Sequence, residues 1–222
     1  MEQPKKNFKI VSDKKARIIL PNAITLIGVC IGLTSIKFAI DGKFAIAVIA
    51  ILFAGLMDAL DGRIARLIKG TSKMGKELDS LGDVISFGVA PAFIMFFWNL
   101  QYQDKLGWFL CLIYVVCVAL RLARFNVAPD EEPSWKDNFF EGVPSPAGGI
   151  IVLMPLILSF SGFGEMFIKI NYDIMVPIFF ITISILLIST IPTYSFKKIV
   201  IPRKMTKFLL FGMVLFFGAL LV

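Results

Sequence analysis

Seven apolar runs alternate with short polar breaks along the chain, at 20–40, 44–68, 75–98, 107–127, 147–160, 172–191 and 208–222. The first four reach the roughly 20 residues that an α-helix needs to cross a hydrocarbon layer. The fifth is shorter, and the last is short for a full span. The breaks carry turn chemistry: Asp41-Gly42-Lys43 closes the first pair, Pro144-Ser145-Pro146 opens the fifth run, and Pro192 follows the sixth. Between 129 and 146 lies a loop that holds most of the acidic residues that follow the fourth run. The pattern predicts an all-α polytopic membrane protein with a six-helix transmembrane core and an accessory C-terminal helix. Residues 1–19 are expected to form a cytoplasmic tail or interfacial helix, 20–196 the transmembrane domain that carries the chemistry, and 197–222 a basic segment with the accessory helix. The first apolar run is too long for a secretory signal and lacks its cleavage site. No internal repeat interrupts this order.

Composition agrees with the pattern. Hydrophobic residues make up 57% of the chain and charged residues only 18%, with a mean hydropathy of +0.81; these are values of a membrane protein. A net charge of +7 raises the question of nucleic acid, but the basic residues form no face separate from the apolar runs, so no nucleic-acid partner is expected. Their distribution sets an orientation instead. With the N-terminus in the cytoplasm, 19 of the 23 Lys and Arg residues fall on that side, and only Lys37, Lys43, Lys105 and Lys169 near the other. Cys30, Cys111 and Cys117 lie in apolar runs without CxxC spacing, which reads as buried thiols. The chain has no histidine, so imidazole bases and histidine-ligated metals are excluded. Acid–base and metal chemistry must rest on carboxylates.

Carboxylates concentrate in one stretch, 58–83. Asp58, Asp61, Gly62, Ala65 and Arg66 fall on one stripe of the second helix, where a soluble helix would place core residues. A second stripe, on the third helix, carries Gly75, Asp79, Asp83 and Ser86. A rise of about 1.5 Å per residue puts Asp61 and Asp83 roughly 25 and 23 Å from the outer ends of their helices. Thr25 and Arg121 come out near 21 Å from theirs by the same rise. All four therefore sit just inside the cytoplasmic boundary of a core about 30 Å thick. Four carboxylates at that depth are costly unless neutralised. Pairing with Arg63, Arg66 and Lys69, or capping of helix ends, accounts for one or two of them. Two divalent cations bridged by the carboxylates account for all four, and hard oxygen ligands favour Mg²⁺ or Mn²⁺ over zinc.

The full run Asp58-x2-Asp61-Gly62-x2-Ala65-Arg66-x8-Gly75-x3-Asp79-x3-Asp83 resembles the signature of the CDP-alcohol phosphatidyltransferase family, with all eight positions filled. The resemblance covers the first six helices. It implies that Asp58, Asp61 and Asp79 bind the metals and that Asp83 completes the site and acts as the base. It also implies that Gly62 and Gly75 let the nucleotide approach the backbone, that Ala65 leaves it room and that Arg66 contacts the diphosphate. A homodimer is implied too. The physics is compatible: cations stabilise a pyrophosphate leaving group, and a nearby carboxylate can take the proton of an attacking alcohol. Without a histidine or a cysteine near the motif, direct displacement is the expected route, and a covalent aspartyl route stays open.

The acceptor is encoded elsewhere. The stretches 120–126 (LRLARFN), 140–146 (FEGVPSP) and 189–195 (STIPTYS) resemble the phosphatidylserine synthase branch of that family, as does Pro21-Asn22-x2-Thr25 beside the nucleotide. Asn22 and Thr25 thereby join the expected CDP-diacylglycerol contacts. Ser86, Arg121, Arg124 and Asn126 are the candidate serine contacts, because a guanidinium can hold a carboxylate through two hydrogen bonds. Arg124 reads equally as a membrane-interface anchor and Asn126 as a helix cap. The expected reaction converts CDP-diacylglycerol and L-serine to a phosphatidyl product and CMP in a bacterial inner membrane. A sister enzyme acting on glycerol 3-phosphate or inositol phosphate is the first alternative, and such acceptors call for a denser basic pocket. A cation channel or transporter is the alternative from another class, although channel carboxylates usually form rings from several subunits.

Overall fold

The computed structural model describes residues 13–68, 70, 72–127, 139–160, 171–189 and 192–194. Helix α1 covers Asp13–Ile40, α2 Phe44–Leu67, α4 Asp104–Val127 and α7 Tyr172–Ile188. Between α2 and α4, the helix α3 runs over Lys73–Trp98 and contains a π-helical turn at Val84–Val89. A 3₁₀ turn, Leu100–Gln103, leads into α4. The fifth apolar run forms two short helices, α5 (Ser145–Val152) and α6 (Met154–Phe160). Four segments, Ile19–Ile40, Phe44–Leu67, Lys73–Trp98 and Leu100–Val127, are long and apolar enough to cross a membrane. The fold is the expected all-α membrane bundle.

Several boundaries differ from the sequence reading for identifiable reasons. The first helix begins inside the polar tail, since α1 passes from Asp13 through the expected limit at residue 19 without a break. The third begins at Lys73 because Ser72 caps it, its Oγ accepting the Gly75 N–H at 2.9 Å. The fifth span is split at Leu153, which makes an i to i−3 bond to Ile150. Pro155 lies two residues on and has no N–H for the Ile151 carbonyl. The stretch 129–146, expected as a loop, contains a strand and runs into α5 at Ser145. Phe139–Glu141 (β1) pairs antiparallel with Pro192–Tyr194 (β2), with Phe140 opposite Thr193. Two of the acceptor-branch stretches, distant in sequence, thus share a two-stranded ribbon. Residues 1–12 and 195–222, with the accessory helix, lie outside the described residues.

Buried side chains show how α2 sets up the site. Ala47, Val48, Ile51 and Ala54 face the core, and the stripe continues through Asp58 to Asp61, which is 3% exposed. Helical periodicity therefore carries the carboxylates inward along the face the apolar residues began. Tyr114, Phe87, Phe180, Met95 and Leu156 fill the centre of the bundle against it. On the outside, Leu26, Phe53, Phe109, Val116 and Ile185 are exposed, as lipid-facing positions of a membrane bundle are.

Candidate active site

Three helices meet around a narrow cleft lined by Thr25 of α1, Asp58 and Asp61 of α2, and Asp79, Asp83 and Ser86 of α3. Gly28, Val29, Ala54, Gly82 and Phe87 complete its walls. The small residues are what allow the approach: a side chain on Gly82 would meet Val29 and Thr25 at 3.2 and 3.4 Å. Ligand oxygens of Asp58, Asp61 and Asp79 lie within 4.8 Å of one another. Asp83 stands against the Asp58 carboxylate, within electrostatic range of Asp79 and of Arg121. The tight group thus has three members, and the fourth carboxylate, Asp83, adjoins it through Asp58.

Hydrogen bonding at the cleft is incomplete. Thr25 Oγ1 donates to Asp61 Oδ2 at 2.5 Å, while Asp61 Oδ1 and Asp83 Oδ1 are buried without a hydrogen-bond partner. Among the described residues the only ion pair within 4.0 Å is Lys37–Asp41, at the other end of the bundle. No described Lys or Arg neutralises the four carboxylates at contact distance. Buried anions without a partner are strongly unfavourable. Hard, closely spaced oxygens with free lone pairs are the donor set of a divalent cation, so these residues fit a metal.

The remaining predicted residues separate into two groups. Asn22 stands over the start of α3, where a side chain on Gly75 would come within 3.0 Å of its Oδ1 and 3.1 Å of Ser72 Oγ. Gly62 lies beneath the Arg66 guanidinium. Arg66 is exposed and within electrostatic range of Asp79, and Ala65 is half-buried beside it. These residues flank the cleft without lining it. On the acceptor side, Arg121 donates from Nη1 to the buried Ser145 Oγ at 2.6 Å, and its Nε is buried without a partner. Arg124 is exposed and donates to the Ile188 carbonyl at 3.0 Å. Asn126 donates to Ser80 Oγ at 2.9 Å; its side chain joins α4 to α3 instead of capping a helix end.

Ser145 is the residue that sequence reasoning missed. It lies in the quoted stretch 140–146, but only the fold brings it against Arg121. Phe87 was likewise invisible as a cleft residue, since in sequence it is one apolar residue among many.

The sequence profile of the CDP-alcohol phosphatidyltransferase family matches residues 18–188. A Mycobacterium tuberculosis protein named CDP-diacylglycerol–serine O-phosphatidyltransferase is 40% identical over 187 residues, covering 83% of this chain and 64% of that protein. Proteins of the same name from Helicobacter pylori and Methanocaldococcus jannaschii are each 33% identical, covering 82% and 81% of this chain and 74% and 77% of their own. The chain thus spans less than two thirds of the length of the Mycobacterium relative and about three quarters of the other two. The profile covers the helices that build the cleft and includes every position of the aspartate signature, so the chain belongs to the CDP-alcohol phosphatidyltransferase family.

Proposed function

We propose that the protein is an integral-membrane phosphatidylserine synthase, transferring the phosphatidyl group of CDP-diacylglycerol to the hydroxyl of L-serine with release of CMP. The observation that carries this reading is the juxtaposition, across Asp83, of the carboxylate cluster and the half-satisfied guanidinium of Arg121. Relatives from bacteria and an archaeon that bear the serine transferase name support the choice of acceptor. Family membership leaves the channel or transporter alternative without support.

In this reading Asp58, Asp61, Asp79 and Asp83 hold two divalent cations, Mg²⁺ or Mn²⁺. When bound, the cations neutralise the diphosphate oxygens and the departing CMP. Thr25 fixes the rotamer of Asp61 through its hydrogen bond. Gly62 and Gly75 leave backbone accessible to the nucleotide, Asn22 beside Gly75 offers it a polar contact, and Arg66 at the open side meets the diphosphate. Ser145 holds one arm of Arg121, leaving its buried Nε to receive the serine carboxylate in a charge-assisted bond. The serine hydroxyl then faces Asp83, which takes the proton as oxygen attacks the β-phosphorus. One O–P bond forms, the P–O bond to CMP breaks, and the proton ends on the Asp83 carboxylate. Ser86, buried in the cleft wall one turn beyond Asp83, is the second acceptor contact. Arg124 and Asn126, which each give one hydrogen bond, to the Ile188 carbonyl and to Ser80, support the α4 end in this reading.

The distribution of basic residues supports a cleft at the cytoplasmic face of the membrane, where serine and CMP would exchange and the lipid would enter sideways. A homodimer in a bacterial inner membrane is the assembly this reading carries. An acceptor bearing a phosphate would need more than one inward-facing guanidinium, which argues against glycerol 3-phosphate and inositol phosphate. CMP release by the reconstituted protein, with each alcohol offered alone, tests the assignment. Release with serine is expected; release with glycerol 3-phosphate and not with serine would overturn it.

A further inference from the structure

The carboxylate cleft is built partly on an irregular stretch of helix, and the sequence explains why. In a regular α-helix the Phe87 carbonyl would accept the N–H of residue 91. That residue is Pro91, which has no N–H and whose ring crowds the carbonyl four residues back. The helix responds with the π turn at Val84–Val89, where the Ala90 N–H reaches the Ile85 carbonyl five residues back. One inserted residue rotates the helix before the turn by about 100° relative to the helix after it. Asp79, Asp83 and Ser86 can then line the cleft while Ala90, Ile94 and Met95 enter the core.

The freed Phe87 carbonyl is deep in the bundle, where a lone acceptor is costly. Its donor comes from another helix: the fully buried Tyr114 of α4 gives its hydroxyl hydrogen at 2.8 Å. Two glycines clamp the same turn from opposite helices. A side chain on Gly32 would come within 2.8 Å of Ser86 Oγ, and one on Gly149 within 3.0 Å of the Phe87 backbone. Little slack remains for the turn to relax. We propose that Tyr114 is a positioning residue of the metal and acceptor site, holding the π turn so that Asp83 and Ser86 face the other carboxylates. Pi turns recur at functional sites, and here Pro91 supplies the local cause and Tyr114 the tertiary lock.

The variant Tyr114→Phe keeps the ring against Phe180, where the centroids are 5.4 Å apart, and removes the hydroxyl. The kcat for CMP release should fall by roughly tenfold to a hundredfold, the cost of a small misplacement of a reacting group. The KM for CDP-diacylglycerol should stay within about twofold, because most of the expected nucleotide contacts stand on α1 and α2. Mn²⁺ affinity, followed by paramagnetic resonance, should weaken by about tenfold, as when a ligand-orienting partner is lost. Pro91→Ala combined with Tyr114→Phe returns a backbone donor to the Phe87 carbonyl and relieves the need for the π turn. This pair should recover thermal stability in detergent but neither kcat nor Mn²⁺ affinity. Recovery of all three together would make Tyr114 a merely structural partner and overturn the proposal, as would wild-type kcat and Mn²⁺ binding in Tyr114→Phe. Should Tyr114→Phe alone fail to fold, the double variant carries the same test. The inference rests on the metal-site reading, and the two fail differently. A wild-type protein that binds no Mn²⁺ defeats both, whereas unchanged Mn²⁺ binding in Tyr114→Phe defeats only the positioning role.

Discussion

The two ends of the bundle handle polar groups in opposite ways. At the end away from the motif, polar groups find partners within the chain. Asn99 Nδ2 donates to Asp173 Oδ1 at 3.1 Å, Gln103 Nε2 donates to the Asp173 carbonyl, and Lys37 pairs with Asp41. Phe93, Phe96, Phe97 and Trp108 close over that end with ring centroids 5.5–6.1 Å apart. At the motif end, the buried atoms without partners belong to charged side chains: Asp61 Oδ1, Asp83 Oδ1 and Arg121 Nε. The only such atom elsewhere among the described residues is the neutral Asn99 Oδ1. One end is finished as a structure, and the other leaves charged atoms open to a ligand. Natural proteins keep such unsatisfied charge where function requires it.

Substitutions should divide along the same line. At the motif end, Asp61→Asn removes the charge of a proposed metal ligand while keeping the shape and the acceptor for Thr25. CMP release should fall by a factor of about 1,000 or more, the scale on which a lost electrostatic element acts, with secondary structure unchanged by circular dichroism. Asp83→Asn removes the proposed base, and a loss of roughly 100- to 10,000-fold in kcat is expected; full activity would remove Asp83 from that role. Arg121→Lys keeps a charge and loses the planar fork. The serine KM should rise by about tenfold to a hundredfold, the worth of a charge-assisted hydrogen bond, while kcat at saturating serine changes much less. A kcat loss with an unchanged serine KM would place Arg121 elsewhere in the reaction. At the opposite end, Asp41→Asn breaks an exposed i, i+4 pair. It should cost about 0.5 kcal/mol of stability or less and leave turnover untouched, as measured by thermal melting and CMP release.

The sequence made the membrane class, the order of helices and the aspartate cluster legible, because each rests on a strong local signal. Apolar runs of spanning length are rare outside membrane helices, and depth counted along four helices brought Thr25, Asp61, Asp83 and Arg121 to one level without a structure. What stayed hidden depends on contacts between distant segments. The π turn follows from Pro91, but its lock, Tyr114, lies 23 positions further on and reads in sequence as one more aromatic in an apolar run. The ribbon joining 139–141 to 192–194 required two weak strand signals to be paired across α5, α6 and α7. The partners of Arg124 and Asn126 were likewise invisible, since a carbonyl at a helix end and a serine on a neighbouring helix leave no mark in spacing.

The central claim is that the unpaired carboxylates of α2 and α3 are a divalent-metal site that drives phosphatidyl transfer. Purified protein stripped with EDTA, supplied with CDP-diacylglycerol and serine and then titrated with Mg²⁺ or Mn²⁺, tests it most directly. No CMP should appear until the metal is returned, and its return should restore release in the wild type but not in Asp61→Asn. Undiminished CMP release from the stripped protein would contradict the account.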